Sequence, residues 1–152
     1  MITLIEQKIT ALLQTATIDD VDTDVVQGID DLLLDWTQYE NYPRIVVAGE
    51  SVETQFVQIG AVTKEYSINI FLLCYNKDKD ELVRQRDVIV DRIETALRSN
   101  QRLDNLADNN NKESVFSSSI PRIRVSKSGV NESYYGVAWI DFRVNTDRKV
   151  AL

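Results

Sequence analysis

The stretch KEYSINIFLLCY, at residues 64–75, decides the fold predicted for this chain. Successive side chains of a β-strand point to opposite faces of the sheet, so alternate residues share a face. Apolar residues occupy both faces of this strand: Ile68, Ile70, Leu72 and Cys74 on one, and Phe71, Leu73 and Tyr75 on the other. A strand that is apolar on both faces is typical of the centre of a sheet covered on both sides.

A charged helix is predicted to follow this strand after a polar turn at residues 76–79. Asp78 suits the N-cap, with Glu81 three residues later, and the helix is expected to run to Arg98. Its apolar residues recur at helical spacing and form one buried stripe: Leu82, Ile89, Ile93 and Leu97, broadened by Val90 and Ala96. Mixed charge fills the remaining surface: Arg84, Arg86, Asp87, Asp91, Arg92 and Glu94.

Upstream, residues 3–15 are predicted to form a helix that begins with a capping box of Thr3 and Glu6. Its apolar stripe comprises Ile5, Ile9, Leu12 and Ala16. Residues 17–27 are predicted to be a loop containing a short strand, and residues 29–36 a short helix. Two strands are expected at residues 44–48 and 52–59, with Pro43 introducing the first of them.

Downstream, residues 101–114 are predicted to form a long mobile loop, pinned by Leu103 and Leu106. Two strands follow at residues 115–125 and 134–144, and Pro121 places the first of these at an edge or a bulge. The order of elements predicts one α+β domain spanning residues 1–152. Its sheet is expected to be mostly antiparallel or mixed, with four to five strands and two main helices packed on one face.

Composition restricts the class of protein. The 152 residues are 43% hydrophobic and 27% charged, which is ordinary for a globular protein, and no apolar run is long enough to cross a bilayer. The start of the chain has no basic n-region, so no signal peptide is expected. The net charge of -7 disfavours binding to free nucleic acid, because phosphate backbones repel an acidic protein.

Charge is distributed unevenly along the chain. No lysine or arginine occurs between Ile9 and Pro43, a stretch that holds eight acidic residues: Asp19, Asp20, Asp22, Asp24, Asp30, Asp31, Asp35 and Glu40. The C-terminal third is more basic: Arg122, Arg124, Lys127, Arg143, Arg148 and Lys149. Two interpretations remain open. Identical subunits could meet head to tail, acidic face against basic face, or both regions could simply be solvated surfaces.

Residue types needed for catalysis are scarce. The chain contains no histidine, one cysteine and five scattered glycines, so it lacks a zinc cluster, a P-loop and a dinucleotide fingerprint. Cys74 is expected to be a packed, inert thiol on a buried strand. The acidic run at residues 19–24 could hold Ca²⁺ or Mg²⁺, but it lacks the glycine and distal glutamate of an EF-hand loop. A solvated acidic turn is the favoured interpretation, and we expect no metal, cofactor or catalytic residue.

Most aromatic residues are expected to pack in the core or on a face of the sheet, but those of the last strand also suggest a partner surface. If the helices cover the face that carries Ile140 and Phe142, then Tyr135, Val137 and Trp139 would be exposed on a monomer, and an exposed apolar patch usually contacts a partner. The predicted interface with another subunit or partner comprises Phe56, Gln58, Lys64, Leu103, Leu106, Tyr135, Trp139 and Arg143.

Five segments in this order resemble one known family. A short amphipathic helix at residues 3–15 precedes Tyr42-Pro43, which leads into the hydrophobic strand RIVV. A hairpin then ends in the apolar strand SINIFLL, a charged helix spans residues 80–98, and the aromatic strand YYGVAWIDF at residues 134–142 closes the chain. This pattern is similar to the tail terminator (neck) proteins of long-tailed bacteriophages, the lambda-like tail-terminator group.

The resemblance implies a structural virion protein that forms a hexameric ring at the head-proximal end of the tail. Such a ring ends polymerisation of the tail tube and joins the tail to the head connector. The implied partners are copies of the chain itself, the tail tube protein and the connector or stopper protein, with the sheath protein as a further candidate. DNA would pass through the ring without specific binding. The implied location is the phage virion, after synthesis in the host cytoplasm.

Three alternatives to a tail terminator remain open from the sequence. A stopper or tail-completion protein of the phage neck has a similar small α+β design. A small metal-dependent phage nuclease would use carboxylates that converge from separate elements. A stand-alone cellular binding domain is the third alternative.

Overall fold

A computed structural model of the protein describes residues 1–15, 24–27, 43–110, 112–130 and 133–149. Two helices and five strands follow one another as α1 (Ile2–Thr15), β1 (Asp24–Gln27), β2 (Arg44–Gln58), β3 (Ala61–Asn76), α2 (Lys79–Arg98), β4 (Glu113–Val130) and β5 (Ser133–Lys149). The strands form one sheet in the order β1-β2-β3-β5-β4. All neighbours are antiparallel except β1 and β2, which are parallel. The predicted α+β class with a mixed sheet is confirmed.

Strand β3 lies at the centre of the sheet and is buried on both faces, as its sequence predicts. The face that carries Ile68 and Ile70 belongs to the main core, together with α1 and α2. On the opposite face, Phe71 and Leu73 form a smaller buried cluster with Val46 and Val137. Both helices therefore pack on one face of the sheet, as expected.

The helices approach the sheet closely at two strand positions that are occupied by glycine. A Cβ atom on Gly49 would lie 2.7 Å from Cδ1 of Ile2 in α1, and one on Gly136 would lie 3.2 Å from Cγ of Leu82 in α2. Cβ contacts this short are rarely tolerated, so the absence of a side chain at these positions lets each helix lie against the backbone of a strand.

Helix α1 differs from the prediction at its start and in its buried stripe. It begins at Ile2, and the amide of Ile5 donates to the carbonyl oxygen of Met1 at 3.0 Å. Thr3 therefore lies inside the helix and is exposed, so the predicted capping box of Thr3 and Glu6 is wrong. Leu13 is buried in place of Leu12, which is half-buried.

Helix α2 follows the prediction closely, with one exception. The Asp78 side chain accepts hydrogen bonds from the amides of Asp80 and Glu81, as an N-cap does. Arg86, predicted to be on the charged surface, is only 8% exposed. Its guanidinium donates to the Ser126 carbonyl oxygen of β4 at 3.1 Å, because burial requires a partner for each polar group. Arg86 thus ties α2 to the edge of the sheet.

The two strands predicted at residues 44–48 and 52–59 are one continuous strand, β2. Its pairing with β3 shifts register between Gly49 and Ser51 and again between Thr54 and Phe56. Bulges of this kind insert an extra residue and bend the strand without ending it, so one strand runs through the break that was predicted after residue 48. Gly60 closes the hairpin with a φ of +82°, a conformation that favours glycine.

The segment between α2 and β4 is as long as the mobile loop predicted at residues 101–114, but its described residues are folded against the core. Leu103, Asp104 and Asn105 adopt positive φ values of 50°, 57° and 56° in a tight turn. Leu103 is fully buried, as its predicted pinning role requires, and the Leu106 carbonyl oxygen accepts from the amide of Val115 at 2.8 Å. Three backbone amides also donate to Asp108, and these bonds lower the pKa of its carboxyl against the opposing effect of desolvation.

The remaining sequence predictions concern the short strand β1, the last two strands and the helix predicted at residues 29–36. The predicted short strand within residues 17–27 exists as β1, and Pro121 lies beside a bulge of the edge strand β4, as predicted. Strands β4 and β5 extend beyond the predicted ranges at both ends. The predicted short helix at 29–36 lies outside the described residues. No helix of the described part is long and apolar enough to span a membrane.

Buried polar side chains link the start of β4 to β3 and β5. The Glu113 carboxylate is 3% exposed and accepts from the hydroxyls of Tyr66 at 2.5 Å and Thr146 at 2.8 Å. Burial, and then the hydrogen bond to Glu113, raise the pKa of the Tyr66 hydroxyl far above its ordinary value of 10.0. Two hydroxyl donors compensate for the loss of water around this carboxylate, so the cluster is structural.

The cap of α2 can be tested by replacing Asp78. We expect Asp78→Ala to lower the free energy of unfolding by about 1 kcal/mol, because two amides at the start of the helix lose their acceptor. Asp91→Ala, at an exposed position in the middle of the same helix, is the matched control and should change stability by less than about 0.5 kcal/mol. Urea denaturation measures both, and equal effects would contradict the capping role.

The Tyr66 cluster should make the protein sensitive to alkaline pH. The raised pKa means that the folded chain keeps the Tyr66 proton where the unfolded chain releases it, so stability falls as pH rises above about 10. Tyr66→Phe should cost about 1–2 kcal/mol near neutral pH and lose less stability than the native chain between about pH 8 and about pH 11. Tyr134→Phe, at a half-buried tyrosine, is the control and should keep the native pH dependence. Denaturant unfolding at both pH values measures this, and an unchanged dependence in Tyr66→Phe would refute it.

Candidate interaction surfaces

A polar depression of about 300 Å³ lies on the sheet face opposite the helices. It begins where the smaller apolar cluster ends, because the residues on this face change from apolar to charged along β3 and β5. Its lining residues come from β2, β3, β4 and β5: Glu50, Asn69, Arg122, Arg124, Trp139, Asp141 and Arg143. We call this set the polar depression.

Two carboxylates hold Arg143 at the centre of the depression. Its guanidinium lies 3.1 Å from Glu65 of β3 and 3.1 Å from Asp141 of β5. The hydrogen bond to Asp141, and then the charge of that carboxylate, raise the pKa of Arg143, so it stays protonated. These pairs are partly exposed, so their main effect is to fix the side chain in place rather than to stabilise the fold.

An aromatic pair supports a second arginine. The guanidinium of Arg124 lies over the ring of Trp139, 5.5 Å from its centroid, and the rings of Trp139 and Phe71 are 5.2 Å apart. A cation over the face of an indole is attracted by the ring quadrupole. Arg124 is nevertheless exposed, so its guanidinium is held in position and remains available to a partner.

A third arginine of the depression lacks a carboxylate among the described residues. Arg122 is exposed and lies opposite Asp141 in the register of β4 and β5. Asp141 forms its ion pair with Arg143 instead, and no described acidic residue lies within ion-pair distance of Arg122. The edge strand therefore presents Arg122 and Arg124 side by side on one face, because alternate residues of a strand point the same way.

The end of the β2–β3 hairpin is a second exposed surface. It extends past the part of β2 that α1 covers, and three of its apolar side chains are exposed: Val52 at 46%, Val57 at 66% and Ile59 at 89%. Exposed large apolar side chains that are grouped on one part of a surface are more typical of a contact surface than isolated ones.

The residues predicted from the sequence as an interface fall into three regions. Phe56, Gln58 and Lys64 belong to the hairpin, where Gln58 is exposed and Lys64 half-buried. Leu103 and Leu106 belong to the segment after α2, and Leu103 is fully buried in the core, so it presents no surface on this chain.

The remaining predicted interface residues, Tyr135, Trp139 and Arg143, lie on the face opposite the helices. The exposure predicted there is wrong for two residues of β5: Tyr135 is 8% exposed and Val137 is 1% exposed. The ring of Tyr135 lies 5.3 Å from that of Tyr75. Of the predicted interface residues, Trp139 and Arg143 are the two that line the polar depression in the described part of the chain.

The structure adds residues to this surface that sequence analysis did not select. Glu50, Asn69 and Asp141 join it through the pairing of four strands, which local patterns do not encode. The sequence identified Arg122 and Arg124 only as part of a basic region. Their alternation with Ile123 and Val125 was a usable signal, because it places both guanidinium groups on one face.

A catalytic or metal centre finds no support in the described residues. They contain no group of three or more acidic or cysteine side chains placed to hold a metal ion. Cys74 is buried, as expected of a packed thiol. A second depression, between α2 and β4, offers about 10 Å³, which is room for about one water molecule. The acidic run that could have bound Ca²⁺ or Mg²⁺ lies mainly outside the described residues.

Comparison with known proteins identifies a structural relative. No family model matches the sequence, and no curated protein is significantly similar to it. Among 38 matching chains of solved structures is one from the virion of a native gene transfer agent particle. The TM-score is 0.55 and the identity 10%, and the similarity covers 97% of this chain and 94% of that chain. The two chains therefore share a fold along almost their whole lengths.

Proposed function

We propose that this chain is a structural virion protein that forms a hexameric ring at the head-proximal end of a phage tail. The ring ends polymerisation of the tail tube and joins the tail to the head connector or stopper protein. The observation that carries the proposal is the fold similarity to a chain of a gene transfer agent virion. The similarity extends over 97% of this chain and 94% of the other, so it concerns the whole fold of both chains.

The proposed function needs binding surfaces, and the described residues supply them. The hairpin end offers exposed apolar side chains, including Val57 and Ile59, as a contact for the tail tube protein. The polar depression offers fixed charges, including Arg124 over Trp139, which set orientation between subunits. Closed rings arise when one surface of a subunit binds a different surface of the next and the rotation closes.

The charge of the chain suits a ring through which DNA passes. A net charge of -7 on each of several subunits repels the phosphate backbone, so DNA would move through the opening without binding. This predicts acidic residues on the inner surface of the ring. A ring with a basic inner surface would contradict this part of the proposal.

Assembly state is the first test. We expect light scattering after size-exclusion chromatography to give six times the mass of the chain, or the ring to form only when the matching tail tube protein is added. Electron microscopy should then show tubes of defined length with a ring at one end. A chain that stays monomeric at every concentration, and leaves tube length unchanged, would overturn the proposed function.

The hairpin end can be tested separately. Val57→Asp with Ile59→Asp should leave stability within about 0.5 kcal/mol, because both side chains are exposed. The same variant should lose the ability to limit tube length, because charge replaces the apolar contact. Thr3→Glu with Gln7→Glu, at exposed positions of α1, adds the same charge away from the hairpin end and is the control. Tubes of unchanged length with the double variant would remove the hairpin end from the proposed contact.

A further inference from the structure

The sheet has an open stretch of strand on each side. Strand β1 pairs with β2 only at residues 44–47, and no described strand pairs with the outer side of β2 beyond Val47. On the other side, the start of β4 is covered because the amide of Val115 donates to the Leu106 carbonyl oxygen. After Val115, no described residue makes a backbone hydrogen bond to the outer side of β4. Open strand edges are common sites for the addition of a strand from a partner.

Both open stretches are accessible to another chain. Residues 51–55 of β2 and 124–127 of β4 are exposed at every position, so the side chains on both faces of the sheet reach solvent there. Strands β2 and β4 run in opposite directions, because three antiparallel pairings separate them. Two copies in the same orientation can therefore join β4 of one to β2 of the next as an antiparallel pair.

The two open stretches carry opposite charge on the same face of the sheet. Arg122 and Arg124 of β4 line the polar depression together with Glu50 of β2, so all three lie on the face opposite the helices. Glu53 of β2 lies on that face too, because it pairs with Glu65, whose carboxylate binds an arginine of the depression.

The acidic edge lacks a cation within the described part of the chain. Glu53 lies directly opposite Glu65, and like charges at opposite positions destabilise a strand pair. Glu65 is bound by Arg143, whereas the described residues form no ion pair with Glu53. Glu50 accepts one exposed hydrogen bond, from the Asn69 side chain at 3.2 Å, so its carboxylate keeps acceptor capacity for a partner.

The basic edge likewise lacks a carboxylate among the described residues. Asp141, which pairs with Arg122 in the sheet, forms its ion pair with Arg143. Arg124 lies over the ring of Trp139, and the described residues form no ion pair with Arg122 or Arg124. Each edge therefore presents two like charges without counter-ions, and the charges of the two edges are complementary.

The face on the helix side adds an apolar side chain to each edge. Val52 of β2 pairs with Tyr66, and Val125 of β4 pairs with Ala138. Both partners belong to the main core, so the two valines lie on the side of the helices. Both valines are nevertheless exposed, because they lie at the edges of the sheet.

We propose that residues 122–127 of one copy pair in antiparallel orientation with residues 48–53 of the next copy. This edge contact rests on the proposed ring and supplies its head-to-tail interface. Each copy uses one edge on each side, so the contact repeats around a ring. The pairing begins after Pro121, which has no amide hydrogen to donate, and ends at residue 48, where β1 covers β2.

The edge contact satisfies both faces of the sheet at once. On one face the two arginines meet the two glutamates, with Arg122 opposite Glu53. The bulge after Gly49 shortens the distance along the strand from the first glutamate to the second, which brings it near the two-residue spacing of the arginines. On the other face, Val52 and Val125 become diagonal neighbours within reach of each other.

Copies joined in this way are offset along their strands. Within one copy, pairing places Glu53 level with Asn145 and Ser117, whereas Arg122 is level with Asp141, four residues further along β5. Four residues span about 13 Å, and the four strands from β2 to β4 span about 19 Å. Strands inclined by about 35° to the ring axis therefore keep successive copies at one height, and sheets that close on themselves incline their strands by about 35–45°.

Reversal of charge at either edge tests the edge contact. Arg122→Glu with Arg124→Glu should weaken self-association at least about tenfold in sedimentation equilibrium, because like charges then face each other. Glu50→Arg with Glu53→Arg should have the same effect for the same reason. Lys77→Glu with Lys79→Glu changes the net charge as the arginine variant does, at exposed sites elsewhere, and is the matched control.

An equimolar mixture of the two edge variants provides the decisive measurement. Each variant carries one sign of charge on both edges and repels itself, whereas the mixture offers opposite edges to each other. Association should therefore return in the mixture, with the two variants alternating. Rising salt should weaken the native contact, since the Debye length shortens to about 3 Å at 1 M.

The outcomes separate the edge contact from the proposed function. If the native chain forms rings and the arginine variant forms them equally well, the edge contact is wrong and the ring stands. If both variants dissociate and their mixture does not recover, the edges do not bind each other and the edge contact is wrong. If the mixture recovers but the native assembly is not a ring of six, the edge contact stands and the proposed function is wrong. A native chain that stays monomeric with and without the tail tube protein overturns both.

Discussion

Burial of β3 on both faces is the constraint on which the rest of the structure depends. One face packs through Ile68, Ile70 and Leu72 against the helices, and the other packs through Phe71 and Leu73 in a smaller cluster. Because the chain buries apolar surface on both sides of one strand, that strand must be central, and β2 and β5 must flank it. The helices cover only one face of the sheet. On the opposite face, the parts of the strands beyond the smaller apolar cluster can therefore carry charged side chains.

That free end of the face accounts for the polar depression. Strands β2, β3 and β5 continue past the apolar cluster, and on the outer face their side chains become polar and charged. Arg143 is held between Glu65 and Asp141, while Arg124 rests on Trp139, the last aromatic residue of the apolar part. The depression is therefore a direct consequence of strands that are longer than the core they cross. Fixed charges that are partly exposed contribute little to stability but a great deal to orientation between partners.

Deeply buried and accessible polar groups have different surroundings in the described part of the chain. Polar groups that are deeply buried, such as Glu113 with Tyr66 and Thr146, are satisfied by one another and enclosed by the fold. Other charged groups, among them Arg122 and Arg124 of β4, are exposed on the sheet face opposite the helices. The long edge strand β4 carries Pro121 beside a bulge, and such features disfavour unspecific pairing along an exposed edge.

Periodicity in the sequence by itself determined β3, α2 and its cap, because Asp78 and the apolar stripe of Leu82, Ile89 and Ile93 act within a few residues of one another. Continuity of β2 was decided only by tertiary structure, since its bulges exist through pairing with β3. Burial of Arg86, Tyr135 and Val137 also depended on neighbours distant in sequence. The surface that unites Arg122 with Asp141 and Arg143 follows from strand order, because side chains from separate strands meet only after long-range pairing has formed.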